Sequence, residues 1–161
     1  MDKTARGYYG SPAGWLEVKA SQRGVTSVEF VRRKKKAEFP AGRETFNVKL
    51  CLKQLDDYFK GRRHEFSVPL DLHGSRFDQA VWRRLLKIGY GRTMSYGEIA
   101  AGIGKPGAAR AVGGANHRNP VGIIVPCHRV IGADGGLTGY GGGLRRKKWL
   151  LEHEKRHGGK I

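Results

Sequence analysis

The chain has 161 residues, with 31 Lys or Arg against 14 Asp or Glu, so its formal net charge is +17 at pH 7. This length allows one or two small domains whose cores need neither disulfides nor metals. No apolar run approaches the ~20 residues of a membrane span, the first residues lack a hydrophobic signal core, and the two cysteines lie far apart, so a cytoplasmic protein without a disulfide framework is predicted.

The basic residues are dispersed along the chain. They form four runs, Arg32-Arg33-Lys34-Lys35-Lys36, Arg62-Arg63, Arg83-Arg84 and Arg145-Arg146-Lys147-Lys148. Each run taken singly is most simply a solvated face. The total is too large for solubility alone and favours a folded basic surface that binds nucleic acid, rather than an anionic membrane.

The N-terminal part predicts a β-hairpin followed by a helix. Residues 14–31 alternate apolar and polar side chains around a turn at residues 22–24. Apolar residues recur at helical spacing over residues 44–60, and Gly61 stands where helices often end. Cys51 lies on the apolar face of this helix, where a free cysteine is usually a small buried hydrophobe. Residues 1–73 are therefore predicted to form a small α/β subdomain.

The second part of the chain predicts several short helices. Helical periodicity resumes at Phe77, so we place the boundary near Gly74. Ser95 is a predicted N-cap with Glu98 at the capping-box position. Residues 102–107 break this helix and a second one follows over residues 108–116, which gives a helix-turn-helix pattern, although an ordinary helical hairpin is commoner. Residues 74–161 are predicted to be mostly helical and winged-helix-like, and the whole chain to be α+β.

The second of these two helices consists mainly of Ala and Gly, with Arg110 as its one long side chain. Reading bases in the major groove needs several long polar side chains on one face, so this helix can specify little sequence. Small side chains permit close approach even in the minor groove, and an Arg could enter the base stack. A tightly packed internal helix explains the same composition, and the segment alone leaves both interpretations open.

The segment Pro126-Cys127-His128-Arg129-Val130 is the candidate reactive site. A working thiol needs a base or a positive field, and His128 is the nearest candidate, acting through a water because neighbours on an extended strand point to opposite sides. Glu154 is the candidate carboxylate that orients the histidine. A buried cysteine beside a surface histidine is the commoner explanation of such a dipeptide. Asn119-Pro120 and the Gly-rich loop with Tyr140 favour a pocket for a flipped base.

These residues together resemble the O6-alkylguanine-DNA alkyltransferase family. The resemblance is carried by residues 126–130 with Asn119-Pro120, Ala108-Ala109-Arg110-Ala111-Val112-Gly113, Ser95-Tyr96, Phe77, Gln79, Val81, Trp82 and Trp149-Leu150-Leu151-Glu152-His153-Glu154. It covers residues 14–154, more loosely before Gly74. It implies a ribonuclease-H-like subdomain over residues 1–73 and a DNA-binding, alkyl-accepting domain over residues 74–161.

The resemblance also implies a reaction. Cys127 would take an alkyl group from O6 of guanine, or O4 of thymine, in a base flipped out of DNA, in a single irreversible turnover. His128 would deprotonate Cys127 through a water, with Glu154 completing the relay. Asn119 would hold the turn, and Tyr96 would help rotate the nucleotide and protonate guanine at N3.

The implied partner is double-stranded DNA, bound by a monomer through the minor groove with little sequence preference. Arg110 would replace the flipped base, and the DNA contacts would include Tyr96, Ala108, Ala109, Gly113, Lys105 and Arg129. The base pocket would involve Pro126, Val130, Tyr140 and Gly141, with the carbonyls of Cys127 and Val130 receiving the guanine amino group. Gly141 stands where some relatives have Ser, so a contact to O6 there would come from a backbone N–H.

No cofactor is expected. Some relatives bind zinc in the N-terminal unit through Cys and His, but Cys51 and His64 are too few for a structural zinc site, so no metal site is predicted. Two rival functions remain at this stage. A non-catalytic lesion-binding protein of the same fold would lack the reactive cysteine, and a cysteine hydrolase using Cys127 and His128 would turn over repeatedly.

Overall fold

The computed structural model describes residues 3–158, and the chain divides into two compact units over residues 1–73 and 74–161. The first unit contains three antiparallel strands in the order β1-β2-β3, with bounds β1 (Ala5–Ser11), β2 (Gly14–Ala20) and β3 (Val25–Val31), and one helix, α1 (Arg43–Phe59). Within the described residues no helix is both long enough and apolar enough to cross a membrane.

The predicted hairpin is confirmed as β2 and β3, which pair antiparallel with a register shift at Lys19/Ala20. Strand β1 was not predicted, because glycines at positions 7 and 10 interrupt its apolar pattern. Gly7 is required by packing, since a Cβ there would lie 2.9 Å from side-chain atoms of Val48 and Leu52 on α1. The missing side chain thus lets the helix approach the sheet closely.

The predicted first helix is also confirmed, one residue earlier than expected. Its apolar face, including Val48, Cys51 and Leu55, is fully buried. Lys60 caps the helix and Gly61 follows with a φ of 74°, in the left-handed region that favours glycine. Burial raises the pKa of Cys51 to about 12, so this cysteine is a core residue and a poor nucleophile.

The second unit is mostly helical. It comprises α2 (Arg76–Leu85), β4 (Met94–Ser95), α3 (Tyr96–Gly102), α4 (Ala109–His117), a one-turn 3₁₀ helix (Cys127–Arg129), β5 (Val130–Ile131) and α5 (Leu144–His157), with β4 and β5 paired in parallel. The buried Trp82 indole donates a hydrogen bond of 2.9 Å to the carbonyl of Ala115, which joins α2 to α4. The predicted α+β class is confirmed.

Helices α3 and α4 have well-defined limits. Ser95 caps α3, and its hydroxyl accepts from the N–H of Glu98 at 3.1 Å while the Glu98 carboxylate accepts from the N–H of Ser95 at 3.0 Å. The predicted capping box is therefore confirmed. Helix α3 ends at Gly102, and α4 begins at Ala109, one residue later than the sequence indicated.

We predict that Ser95→Ala destabilises the protein by about 1 kcal/mol, because the N–H of Glu98 loses the hydroxyl that accepts its hydrogen bond. Urea unfolding followed by circular dichroism measures this change. Ser95→Thr, which keeps a hydroxyl, is the control and should cost less. Equal losses for both variants would show that the hydroxyl is not what stabilises this helix.

Candidate active site

The chain before Cys127 is held as a compact turn by Asn119. The Asn119 amide nitrogen donates to the carbonyl of Val125 at 2.8 Å, and its oxygen accepts from the N–H of Val121 at 3.0 Å. Within this turn Ile123 has a φ of 72°, a conformation that is costly for a β-branched residue. The bonds of Asn119 on both sides of Ile123 hold the turn in this shape.

Cys127 begins the one-turn 3₁₀ helix, and only 7% of its surface is exposed. Burial raises the pKa of its thiol, against the opposing effects of a hydrogen bond from Asn119 and the nearby charge of Lys147. The resting sulfur is therefore protonated at neutral pH. A reaction at this sulfur needs a base that removes the proton.

His128 and Glu154 form a fully buried pair. The His128 Nε2 atom lies 2.7 Å from Glu154 Oε2. Arg129 donates to both carboxylate oxygens, at 2.8 and 3.0 Å, and the N–H of Gly91 donates to Oε1 at 3.0 Å. Burial alone would raise the pKa of Glu154, but the charges and hydrogen bonds of His128 and Arg129 outweigh it and hold that pKa well below its usual range.

The ionised carboxylate fixes the tautomer of the histidine. A carboxylate can only accept hydrogen bonds, so Nε2 of His128 must be the donor. Burial lowers the pKa of His128, although Glu154 opposes this shift, and the neutral ring then carries its lone pair on Nδ1. Nδ1 is buried and has no hydrogen-bond partner within residues 3–158. The bond between Nε2 and Glu154 therefore leaves Nδ1 as the nitrogen that can accept a proton.

Arg129 is buried, contrary to its predicted position at the DNA-binding surface. We expected it to contact DNA, but its side chain is only 6% exposed. In addition to its two bonds to Glu154, it donates to the carbonyl of Ile88 at 2.6 Å. A guanidinium so enclosed is a structural counter-ion of Glu154, and it cannot reach a phosphate without breaking these bonds.

A cavity of about 520 Å³ lies beside α4 in the second unit. Six of its lining residues are among the predicted site residues: Tyr96, Ala109, Arg110, Gly113, Tyr140 and Gly141. Burial raises the pKa of Tyr140 well above its usual value, so its hydroxyl stays protonated. The structure therefore brings together side chains that were predicted separately as DNA-binding and as pocket residues.

Other predicted site residues lie outside the cavity lining. Lys105 is exposed in the turn between α3 and α4, and Ala108 is the N-cap of α4. Pro126 and Val130 are buried directly before and after the one-turn 3₁₀ helix of Cys127–Arg129. The carbonyl of Cys127 accepts from Asn116 at 3.3 Å and from the N–H of Val130, and the carbonyl of Val130 accepts from Lys147 at 2.5 Å.

Three residues of this region were not predicted from the sequence. Asn116 lines the cavity and donates to the carbonyl of Cys127. Thr138 also lines it, and its hydroxyl donates to the Tyr96 hydroxyl at 3.0 Å. Lys147 was counted in an exposed basic run but is fully buried, with Nζ bonded to the carbonyls of Val130 and Thr138. Its helical spacing from Leu150 and Glu154, which share its buried face, was the available signal.

The residues described include no group of three or more His, Cys, Asp or Glu side chains that could hold a metal ion. Cys51, which was considered above as a zinc ligand, is fully buried in the core.

The chain is similar to a known protein family over both of its units. Family models described as "6-O-methylguanine DNA methyltransferase, ribonuclease-like domain" and "6-O-methylguanine DNA methyltransferase, DNA binding domain" match residues 5–72 and 76–156. A methylated-DNA–protein-cysteine methyltransferase of Mycobacterium leprae is 65% identical over 105 residues, which are 65% of this chain and 64% of that protein. The match thus spans just under two thirds of that relative's length.

Solved structures match over more of the chain. A crystal structure of the O6-methylguanine methyltransferase of Mycobacterium tuberculosis has a TM-score of 0.85 and 46% identity, covering 96% of this chain and 94% of that one. A second crystal structure from the same organism, in complex with DNA, has a TM-score of 0.83 and 48% identity, covering 93% and 92%.

We predict that Glu154→Gln lowers the free energy of unfolding at pH 7 by about 3–5 kcal/mol, because the buried guanidinium of Arg129 loses its counter-charge. Glu152→Gln removes a charge from the exposed side of the same helix and should change stability by no more than about 0.5 kcal/mol. Urea unfolding of both variants measures these values. Equal effects would mean that the buried network contributes little.

The pH dependence of the same variants provides a further readout. The folded-state pKa of Glu154 is lowered, so its contribution is present above the unfolded pKa of about 4.3 and is lost as pH falls below it. The wild-type protein should therefore lose more stability than Glu154→Gln between pH 5 and pH 3. Parallel curves for the two proteins would contradict this assignment.

Proposed function

Because this chain belongs to the 6-O-methylguanine DNA methyltransferase family, we propose that it repairs DNA by moving an alkyl group from O6 of guanine, or O4 of thymine, to the sulfur of Cys127. The observation that carries the proposal is the buried Cys127 followed by a histidine whose Nε2 is bonded to Glu154 and whose Nδ1 is left as the proton acceptor. This arrangement generates a thiolate when the proton of Cys127 passes to Nδ1 of His128.

The reaction begins with a proton transfer. A water passes the proton of Cys127 to Nδ1 of His128, and the resulting imidazolium is stabilised by the ionised Glu154. The sulfur then attacks the alkyl carbon in line with the C–O6 bond. That bond breaks, its electron pair goes to guanine, and Tyr96 supplies a proton to guanine N3. Tyr96 regains a proton from water, and His128 releases its own.

The product is a thioether on Cys127, and no residue of the described site can cleave it. Each molecule therefore acts once, without a cofactor. Asn119 acts as a positioning residue, because its two hydrogen bonds set the turn that presents the sulfur. The carbonyls of Cys127 and Val130, beside Pro126, receive the guanine amino group, and Tyr140 and the N–H of Gly141 complete the base pocket.

The proposed mode of DNA binding uses α3 and α4 as a helix-turn-helix in the minor groove. Ala109 and Gly113 line the cavity and present no bulky side chain, so the backbone of α4 can approach the duplex closely. Arg110 is exposed at the same cavity and takes the place of the flipped base in the stack. Lys105 and Ala108, at the start of α4, contact the flanking backbone.

Charge supports this partner. Residues 74–161 contain 16 Lys or Arg against 5 Asp or Glu. Such an excess supplies sequence-independent affinity for phosphates. We further propose that residues 74–161 are the reacting domain and residues 1–73 a separate ribonuclease-H-like domain, and that the protein is monomeric and cytoplasmic, where its two unpaired cysteines stay reduced.

The central experiment is mass spectrometry after incubation with duplex DNA containing O6-methylguanine. We expect one added methyl group per protein, on the peptide that holds Cys127. The same experiment tests the rival functions, because an unmodified protein that binds the lesion would be a non-catalytic binder. Turnover of an ester or amide beyond one equivalent would instead indicate a hydrolase.

We predict that Cys127→Ser accepts no methyl group yet binds duplex DNA within about twofold of the wild-type affinity, since the thiol contributes to chemistry and is nearly buried before binding. Fluorescence anisotropy measures the affinity. Cys51→Ser is the matched control and should still accept one methyl group. A large loss of DNA affinity in Cys127→Ser would show that the site is misassigned.

We predict that Arg110→Ala slows methyl transfer from duplex DNA by at least tenfold and leaves transfer from free O6-methylguanine unchanged, because only the duplex requires a group that replaces the flipped base. Single-turnover kinetics with both substrates measures the two rates. Arg145→Ala, an exposed arginine outside the cavity lining, serves as the charge-matched control. Equal slowing with both substrates would assign Arg110 to the reaction itself.

A further inference from the structure

The basic run Arg32–Lys36, here called the cationic strap, lies in the first unit and has no part in the site described above. It follows β3, at one edge of the sheet. Directly after it, Glu38 pairs with Arg6 of β1 through two backbone hydrogen bonds of 2.9 Å, at the opposite edge. Residues 32–37 must therefore cross one face of the sheet.

The strap crosses the face that α1 does not cover. Gly7 faces α1, so its neighbours Arg6 and Tyr8 point to the other face. Lys34 Nζ lies 4.8 Å from the ring centre of Trp15, and the backbone of Lys35 lies close enough to the Tyr8 hydroxyl to oppose the rise in its pKa that burial causes. The strap thus runs over the aromatic side chains of the outer sheet face.

Main-chain contacts hold the strap in place. The Arg6 guanidinium donates to the carbonyl of Lys36 at 3.2 and 3.3 Å and to the Glu38 carboxylate at 2.8 Å. The side chains of Arg32, Arg33, Lys35 and Lys36 are exposed, and none has a hydrogen-bond or ion-pair partner within residues 3–158. A fixed backbone therefore displays a row of unneutralised positive charges.

We propose that the cationic strap is a second DNA-binding surface that contacts the phosphate backbone of a duplex. Like charges held side by side repel one another, and a linear polyanion relieves that repulsion along the whole row. Fixing the strap before binding lowers the ordering cost that a flexible basic tail would pay. The surface adds affinity without reading sequence, which is the property that the proposed search for rare damaged bases requires.

The test uses the full chain and a lesion-free duplex. The triple variant Arg33→Gln/Lys35→Gln/Lys36→Gln removes three charges from the strap. The control Lys53→Gln/Lys60→Gln/Arg62→Gln removes three from α1 and its C-terminal end, in the same unit. We expect the strap variant to bind roughly 10- to 100-fold more weakly at low salt, and the slope of log Kd against log salt to fall by about 2–3. The control should keep nearly the wild-type slope.

Equal losses in both triple variants would overturn the proposal, because they would reflect net charge rather than the strap. Wild-type binding by the strap variant, or a preference of the wild-type protein for phosphatidylserine vesicles over DNA that is lost in the strap variant, would overturn it as well. Thermal melting of each variant confirms that the fold is intact. Methyl transfer at saturating DNA should remain one per molecule in the strap variant, so failure of the chemistry in the wild-type protein would be distinct from failure of the strap.

Discussion

The buried carboxylate of Glu154 is the interaction on which the second unit depends. It accepts hydrogen bonds from His128, Arg129 and the N–H of Gly91. It therefore joins α5 to the one-turn 3₁₀ helix that contains Cys127 and to the chain before β4. A lone buried carboxylate would be costly, but here every oxygen is satisfied and a guanidinium balances the charge. The same ionisation state determines which nitrogen of His128 can take a proton. Structural stability and readiness for chemistry therefore come from one group.

The chemistry around Cys127 is governed by burial. The buried sulfur is protonated at rest, and a thiol reacts more slowly than a thiolate with oxidants and alkylating reagents in solution. In the proposed reaction the thiol gives its proton to an acceptor that burial keeps neutral, and His128 is that acceptor. Arg129 and Lys147 supply positive charge near the site through buried, hydrogen-bonded side chains. The local field is thus built from residues that solvent cannot screen.

The elements with strong local signals could be predicted from the sequence. The hairpin, α1 with Gly61 after it, the Ser95 capping box and the interruption at Gly102 all follow from short-range patterns, and the structure confirms each of them. Strand β1 escaped prediction because its glycines are explained only by the close approach of α1, a long-range contact. Strands β4 and β5 have two residues each, too few to show any alternation.

The site likewise contains residues that the sequence predicts and residues whose position depends on long-range contacts. The pairing of His128 with Glu154, 26 residues apart, was expected from chemistry, and the structure places them 2.7 Å from each other. Arg129 and Lys147 were read as surface charges because a sequence shows a charge but not the neighbour that neutralises it. Their burial depends on Glu154 in one case and on two backbone carbonyls in the other. Such partners become visible only once the fold brings them together.

The way in which the strap is anchored has a consequence for how this protein can change. Its contacts to the sheet run through the backbone of Lys35 and Lys36 and through the side chains of Arg6, Lys34 and Glu38. The remaining basic side chains can therefore be exchanged one at a time with little effect on folding or on the sulfur chemistry. The DNA affinity proposed for the strap is then a property that mutation can adjust in small steps, separately from the proposed alkyl transfer.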